Sequence, residues 1–554
     1  MLGKVKGKKL KVKGEDIVDI LLENRGLKTK KEREEFFNPR DPEKLALKEL
    51  KISRSQVEKA IKRIKSAKNN KEKIIVYGDY DADGVCATAI MWEALHYLEC
   101  DVMPFLPDRF SEGYGLSAET VKKLKIKNQE LKIIITVDNG IVANEAVNTA
   151  NNLGIDVIIT DHHQKGKKLP KAHSIIHTTQ IGGAGLAWIV AREVRKSFQS
   201  NKNLEIRKGL ELCAIGTIAD QLSLLGPNRS FAKYGLEALN NTERPGLLAL
   251  FKEAAIDPGN LGTYGVNFVI APRINAMGRM EHAIDSLRLV CTKSPARASE
   301  LAHLLSSTNL ERQKVVESVV LHARKAASEQ TWGGAIVLGH ETYHEGVIGL
   351  AASKLVEEFY RPAIVFSKGD EISKASARSI PGFNIIEAIR ELDHLTEGGG
   401  GHPMAAGFSI KSDKLATFIR EFEAISKKLL TEDVLKKQLR IDTEIDFNQI
   451  NDELEEKLQR FEPAGIGNPR PVFMSKRVSI LAVRIVGRGS KHLKAQFECD
   501  GKIFSAIGFG MGYFLPKLST EKKVDIAYNI EENIWNGNRE IQVKLKDIKI
   551  RQGK

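Results

Sequence analysis

The chain has 554 residues, with 85 Lys plus Arg against 71 Asp plus Glu and a formal net charge of +14. Hydrophobic residues at 42% and charged residues at 28% exclude wholesale disorder, and no apolar stretch approaches the roughly 18 residues of a membrane span. At roughly 100–200 residues per domain the length predicts about three or four domains, and the basic excess suggests a polyanionic partner such as nucleic acid.

In chain order, residues 1–55 read as a basic N-terminal extension. Lys4, Lys6, Lys8, Lys9, Lys11 and Lys13 surround no apolar core that a signal peptide could use, and Pro39 and Pro42 stop any helix near its end. Five scattered cysteines without a CxxC pair argue against a disulfide framework or zinc ribbon and fit a reducing cytosol. From 56 to 285 the pattern is α/β. Ile74–Tyr77, Ile133–Val137 and Val157–Thr160 are β-branched runs suited to a buried parallel sheet, and Ala87–Leu95 reads as a helix. Residues 286–330 form a connecting helix, with apolar helical spacing over Ser294–Glu329. A second α/β unit covers 331–435, with strands at Gly334–Leu338 and Pro362–Phe366 and a Gly-rich turn at Gly398–Gly401. A helical crossing lies near 412–437. From 436 to 554, short alternating runs (Val478–Val483, Ala495–Cys499, Ile541–Leu545) predict a small antiparallel barrel.

The acids fall at the ends of apolar runs. Asp79, Asp81 and Asp83 follow the first strand, Asp138 the second, and Asp161-His162-His163 the next; Asp220 closes the run Cys213–Ala219. In an open parallel sheet the carboxyl ends of neighbouring strands share one crevice, so these residues converge on one pocket. Five or six close carboxylates cannot all stay ionised without positive charge among them. Oxygen and imidazole ligands suit Mn²⁺, Mg²⁺ or Zn²⁺. Two cations roughly 3.5–4 Å apart would activate a water and clamp a phosphoryl oxygen, which points to phosphoester hydrolysis.

Plainer readings compete. Asp79, Asp81, Asp83 and Gly84 mimic a calcium loop, but its twelfth position is Ile90 and a strand precedes it. Any single aspartate, Asp138 above all, reads as a helix N-cap, and paired histidines are commonly one core and one surface residue. There is no GxxxxGK[ST] loop, no good dinucleotide fingerprint at Gly182–Gly185, no second His after His344-Glu345 for a metalloprotease and no GxSxG elbow.

The strings VYGDYDADG, TVDNG, TDHH and IADQ resemble the DHH phosphoesterase superfamily. APRINAMGR, YHEGVIGLAASKL, SARSIPGFN, GGGHPMAAG and PAGIGNPRPVF, in this order, resemble its RecJ branch of single-strand-specific 5′→3′ DNA exonucleases, and the likeness covers nearly the whole chain. It implies a DHH catalytic domain, a connecting helix, a DHH-associated domain facing the metal pocket across a cleft, and a C-terminal OB-fold barrel. It implies two ions, Mn²⁺ or Mg²⁺, on Asp81, Asp83, Asp138, His162 and Asp220, with Asp138 bridging. Asp79, His163 and His402 are implied as catalytic residues that orient ligands or substrate, and Asp161 as the support of an adjacent imidazole.

Arg109, Tyr114, Arg279, His344, Ser376 and Arg378 match substrate-handling positions. Arg279, Ser376 and Arg378 would make a terminal-phosphate pocket, because guanidinium forks pair bidentately with phosphate oxygens. Tyr114 is equally readable as a packed loop aromatic. In the barrel, Phe497, Phe504, Phe509 and Trp535 are available for base stacking, although each also suits a core. Two positions depart from the pattern: Tyr343 stands where Trp is usual, and His177-Thr178 replaces Asn-Pro. The additional C-terminal domain of some longer relatives has no counterpart.

The implied activity is hydrolysis of single-stranded DNA to mononucleotides in repair and recombination, by a cytoplasmic monomer with a single-strand-binding protein and a helicase as partners. The alternatives are a DHH enzyme of short oligonucleotides or cyclic dinucleotides, and a catalytically inactive DNA-binding scaffold.

Overall fold

The structure, a computed structural model, describes residues 16–198, 207–329, 332–520, 523–535 and 538–551, and the lysines of the first thirteen positions lie outside it. The chain divides into two compact units, one of residues 1–278, 282–306 and 439–554 and one of 279–281 and 307–438. Among the described residues no helix is long and apolar enough to cross a membrane.

The first unit contains a five-stranded parallel sheet built from β1 (Lys73–Tyr77), β2 (Val102–Phe105), β3 (Leu131–Val137), β4 (Asp156–Asp161) and β5 (Ser174–His177), in the order β2-β1-β3-β4-β5. Ile74, Val76, Ile133 and Ile135 face one apolar cluster, and Ile75, Tyr77 and Ile134 another. Burial on both faces explains why these strands carry continuous apolar runs instead of alternation. The helix after β1, Ala82–Tyr97, is buried on nearly every side against the helices Gly183–Ser197 and Leu210–Ala219.

Leu210–Ala219 corrects the sequence reading. The run ending at Asp220 is a helix, so Asp220 stands at a helix C-cap and not at a strand end. A helix surrounded by other helices is apolar all round and carries no period to distinguish it from a buried strand.

The same unit contains the barrel, formed by β12 (Phe473–Val486), β13 (His492–Cys499), β14 (Lys502–Gly508), β15 (Lys523–Trp535) and β16 (Asn538–Ile550). The order β12-β13-β14-β16-β15 closes through β15–β12 pairing, while a two-residue strand β11 (Thr443–Glu444) pairs parallel with β12. The segment expected as a basic extension is folded from residue 16 onward. Helices Ile17–Asn24 and Lys30–Phe37 put Leu21, Leu22 and Phe36 into the barrel's core. The helix Lys30–Phe37 starts in a Thr29/Glu32 capping box. Arg229 ties barrel, N-terminal helices and catalytic domain together. It lies 3.9 Å over the Phe36 ring and donates to the Phe36, Pro463 and Glu462 carbonyls at 2.6, 3.1 and 2.8 Å.

The 34-residue helix Pro295–Ser328 begins in the first unit and ends in the second. The second unit has a mixed sheet of β6 (Ile336–His340), β7 (Ala363–Ser367), β8 (Ile372–Arg378), β9 (Thr396–His402) and β10 (Ala405–Lys411), ordered β6-β7-β8-β10-β9. Residues Gly398–Gly401, read as a turn, lie within edge strand β9. Glycines show no side-chain alternation, and a Cβ at Gly401 would sit 2.7 Å from that of Ala406.

Candidate metal centre

Three parallel strands end side by side, and the polypeptide leaving each supplies acids. Asp81 caps the Ala82–Tyr97 helix, its Oδ1 accepting from the Asp83 and Gly84 amides at 2.9 and 3.0 Å. Asp83, in the first turn of that helix, accepts from the Gly183 and Ala184 amides at 2.8 and 2.9 Å, at the start of the helix Gly183–Ser197. Asp138 follows β3 with φ of +64°, a left-handed conformation uncommon for a residue with a side chain. It caps no helix, since the helix after it begins at Asn144 behind Ala143. The N-cap role belongs to Asp81.

These elements bring together five of the six acids singled out in the sequence, all but Asp161. Asp79, Asp81 and Asp138 each offer a carboxylate oxygen within 4.8 Å of the others, and so do Asp83 and Asp220 with a nitrogen of His162. The His162 Nε2 lies 3.0 Å from Asp138 Oδ1, 3.7 Å from Asp220 Oδ2 and 3.9 Å from Asp83 Oδ2. Close packing demands glycine nearby: a Cβ at Gly183 would fall 2.4 Å from Asp138 Oδ1, and one at Gly216 2.2 Å from Asp83 Oδ1. Sequence reasoning missed both. Asp79, expected to orient ligands or substrate, sits inside the cluster.

The electrostatics are those of anions buried against one another. Burial, then Asp81, push Asp83 up to about 6; burial, then Asp83, push Asp220 up to about 8. Burial and the surrounding carboxylates raise Asp79 and Asp138 well above the carboxylate range. Burial, then His163, lower His162 to about 4, leaving the imidazole neutral at physiological pH.

His163 is the opposite case. Burial works against its charge, but the Asp161 carboxylate, accepting from Nδ1 at 2.8 Å, carries it up to about 9. Its Nε2 lies 3.2 Å from the Tyr114 hydroxyl, and the His163 carbonyl accepts from His177 Nε2 at 2.7 Å. Asp161 therefore supports His163, not His162, and Tyr114 reaches His163 through its hydroxyl instead of packing as an ordinary loop aromatic. The Arg109 guanidinium lies 4.3 Å over the Tyr80 ring, with its buried Nε lacking a hydrogen-bond partner.

In the second unit, the amino end of the helix Ile348–Phe359 gathers Arg279, Ser376 and Arg378. Arg378 Nη1 donates to Ser376 Oγ at 3.1 Å, and Arg279 Nη1 to the Gly346 carbonyl at 3.1 Å. A Cβ at Gly349 would meet Ser376 Oγ and Arg378 Nη2 at 2.8 and 2.9 Å. His344 accepts from the Gly346 amide at 3.1 Å. Burial lowers the Arg378 pKa, the signature of a cation held out of water. His402 lies in register with Ala405, which faces Arg378, so it stands two strands from that arginine. Two guanidinium groups near a helix N-terminus have the chemistry that suits an anion.

Three family models match: the DHH family N-terminal domain over residues 73–217, the DHHA1 domain over 332–428 and the RecJ OB domain over 441–547. The chain is 35% identical to the single-stranded-DNA-specific exonuclease RecJ of Bacillus subtilis, over 96% of this chain and 67% of that protein. Against its Escherichia coli counterpart it is 32% identical, over 89% of this chain and 90% of that one. The chain belongs to the RecJ family. The crystal structure of RecJ in complex with Mn²⁺ from Thermus thermophilus superposes with a TM-score of 0.82 at 28% identity, covering 97% of this chain and 76% of that one.

Within the RecJ OB domain the four aromatic candidates separate. Phe497 is fully buried, and Phe504 packs against the core with Phe447. Phe509 is 57% exposed, with Lys544 at 5.0 Å from its ring and His492 against its edge. The Trp535 side chain lies outside those described.

Proposed function

We infer that this chain is a single-stranded-DNA-specific exonuclease that digests from the 5′ end to mononucleotides, using two divalent cations, Mn²⁺ or Mg²⁺. One observation carries the reading: Asp138 Oδ1 and His162 Nε2 are buried at the centre of five carboxylates, and neither has a hydrogen-bond partner. Hard oxygen donors with one neutral imidazole fit these cations. Asp79 and Asp81 on one side, and Asp83, His162 and Asp220 on the other, would hold one ion each, with Asp138 shared.

When bound, the pair supplies Lewis-acid polarisation of the phosphoryl group and lowers the pKa of an attacking water. The chain's own residues do the rest. Protonated His163, oriented by Asp161, presents a fixed positive charge beside the cluster for a phosphate oxygen. Arg109 and Tyr114 guide the incoming strand. Arg279, Ser376 and Arg378, with His344, hold the 5′-terminal phosphate and set the cutting register, and His402 handles substrate from the edge strand. The short-oligonucleotide and inactive-scaffold alternatives are not favoured, because the chain has a RecJ OB domain and retains every acid of the cluster.

The same reading makes the protein a cytoplasmic monomer in repair and recombination, working with a single-strand-binding protein and a helicase. Light scattering and pull-down test those parts. The central test is digestion of end-labelled single and double strands with Mn²⁺, Mg²⁺ or EDTA. Label from a 5′ end should appear at once as mononucleotide, only from single strands and only with metal. Metal-independent cleavage, or equal attack on duplex, would overturn the reading.

A further inference from the structure

The string PAGIGNPRPVF has no part in the metal cluster or the phosphate pocket, yet it packs against Ser223 and Leu224, just after Asp220. The Leu224 amide donates to the Ile466 carbonyl at 2.7 Å, and Thr263 Oγ1 donates to the Ala464 carbonyl at 2.7 Å. The loop has no room to spare: a Cβ at Gly467 would lie 2.2 Å from Ser223 Oγ. Gln221, next to Asp220, donates from Nε2 to Asn267 Oδ1 at 2.7 Å. The segment that follows Asp220 is thus pinned to two stretches, the 464–467 loop and the helical run from Thr263, which are themselves joined through Thr263 and Ala464.

On that pinned surface stand Tyr264, Phe268 and Ile466, exposed by 70%, 66% and 53%. Single exposed apolar residues are ordinary, but Tyr264 and Phe268 form a pair, with ring centroids 4.8 Å apart and planes inclined by 33°. Phe268 lies within, and Tyr264 just before, a five-residue π-helical segment, Val266–Ile270, an irregularity frequent at functional sites. Tyr264 and Ala464 also line a cavity of about 1050 Å³ between the catalytic domain and the barrel.

We propose that Tyr264 and Phe268, flanked by Ile466, are a stacking platform for nucleobases of the uncut part of the substrate strand, between the metal centre and the barrel. The proposal rests on the nuclease reading above. Its occupant follows from continuity with the segment that follows Asp220 and from an exposed pair of aromatic faces, on which successive bases of a single strand stack. The exposed surface is chiefly aromatic and aliphatic, which suits stacking without reading base edges, so the platform accepts any sequence.

The test is Tyr264→Ala/Phe268→Ala in the full chain with Mn²⁺. KM for a long single strand should rise about 5- to 150-fold, the range of one aromatic–base stack, while turnover of a dinucleotide stays unchanged. Tyr264→Phe should restore KM. Tyr264→Trp, read against the native tryptophans in EDTA, should show fluorescence quenched by oligo-dT. An unchanged KM in the double variant, or no quenching, overturns the platform. Quenching in EDTA without any turnover in Mn²⁺ would instead sink the nuclease reading and leave the platform standing.

Discussion

His162 Nε2 and Asp138 Oδ1 lie 3.0 Å apart, both buried and neither hydrogen-bonded. At this separation two good acceptors repel unless a proton or a cation stands between them. The approach lacks hydrogen-bond geometry, and His162 is driven towards its neutral form. The pair is therefore a site made for a positive ion, arranged by a left-handed residue after β3 and a histidine after β4.

Asp138→Asn should keep the left-handed backbone, which asparagine tolerates, while removing the charge. Steady-state assays should show hydrolysis reduced on the order of 10³-fold, as loss of several kcal/mol of metal-assisted stabilisation requires. Without metal, the variant should melt at a higher temperature than the parent, since a buried like charge is gone. Retained Mn²⁺-dependent cleavage would count against the centre.

Metal-free stability should fall as pH rises from 6.5 to 8. Asp220, raised to about 8, and His163, raised to about 9, bind more protons folded than unfolded across this window, so stability falls with pH. His162, lowered to about 4, has the opposite sign only between about 4 and its ordinary value of 6.5. Thermal melts in EDTA check the slope. A flat or rising melting temperature across that interval contradicts the electrostatic account.

Gly216→Ala alters no polar group but would set a methyl 2.2 Å from Asp83 Oδ1 and 2.7 Å from Ala184 Cβ. Overpacking of this kind costs about 1–3 kcal/mol. Mn²⁺ affinity by calorimetry should drop at least about tenfold, as when a group supporting a metal ligand is disturbed. Parental affinity would mean that the cluster is looser than its geometry.

Arg378→Ala should cost about 1.5–3 kcal/mol, the worth of hydrogen bonds to a charged partner, and so about 10- to 100-fold of the preference for 5′-phosphate over 5′-hydroxyl ends. Competition kinetics between the two substrates measures it. Unaltered discrimination would move the terminal-phosphate site elsewhere.

Phe497 and Phe509 should behave oppositely. Phe497→Ala empties a fully buried position and should destabilise the fold by about 3–5 kcal/mol. Phe509→Ala should leave melting unchanged and weaken binding of single strands by about 1–3 kcal/mol. Denaturation curves and filter binding with the same two variants separate core from platform.

Much of the centre was legible because a parallel sheet turns sequence into position. Residues that follow an apolar strand emerge at one edge, so Asp79, Asp81, Asp83, Asp138 and His162 could be gathered by reading strand ends alone. Motif order added the likeness to the RecJ branch, and alternation in the last hundred residues marked the barrel. Asp220 reached the same pocket from a helix end, which periodicity could not reveal in a helix buried all round. Tertiary structure alone decided that Asp161 serves His163, that Gly183 and Gly216 make room for the carboxylates, and that Leu21, Leu22 and Phe36 complete the barrel's core. It also decided that Phe509 faces solvent while Phe497 does not. Such facts depend on distances between residues far apart in the chain, and local propensity carries no information about those distances.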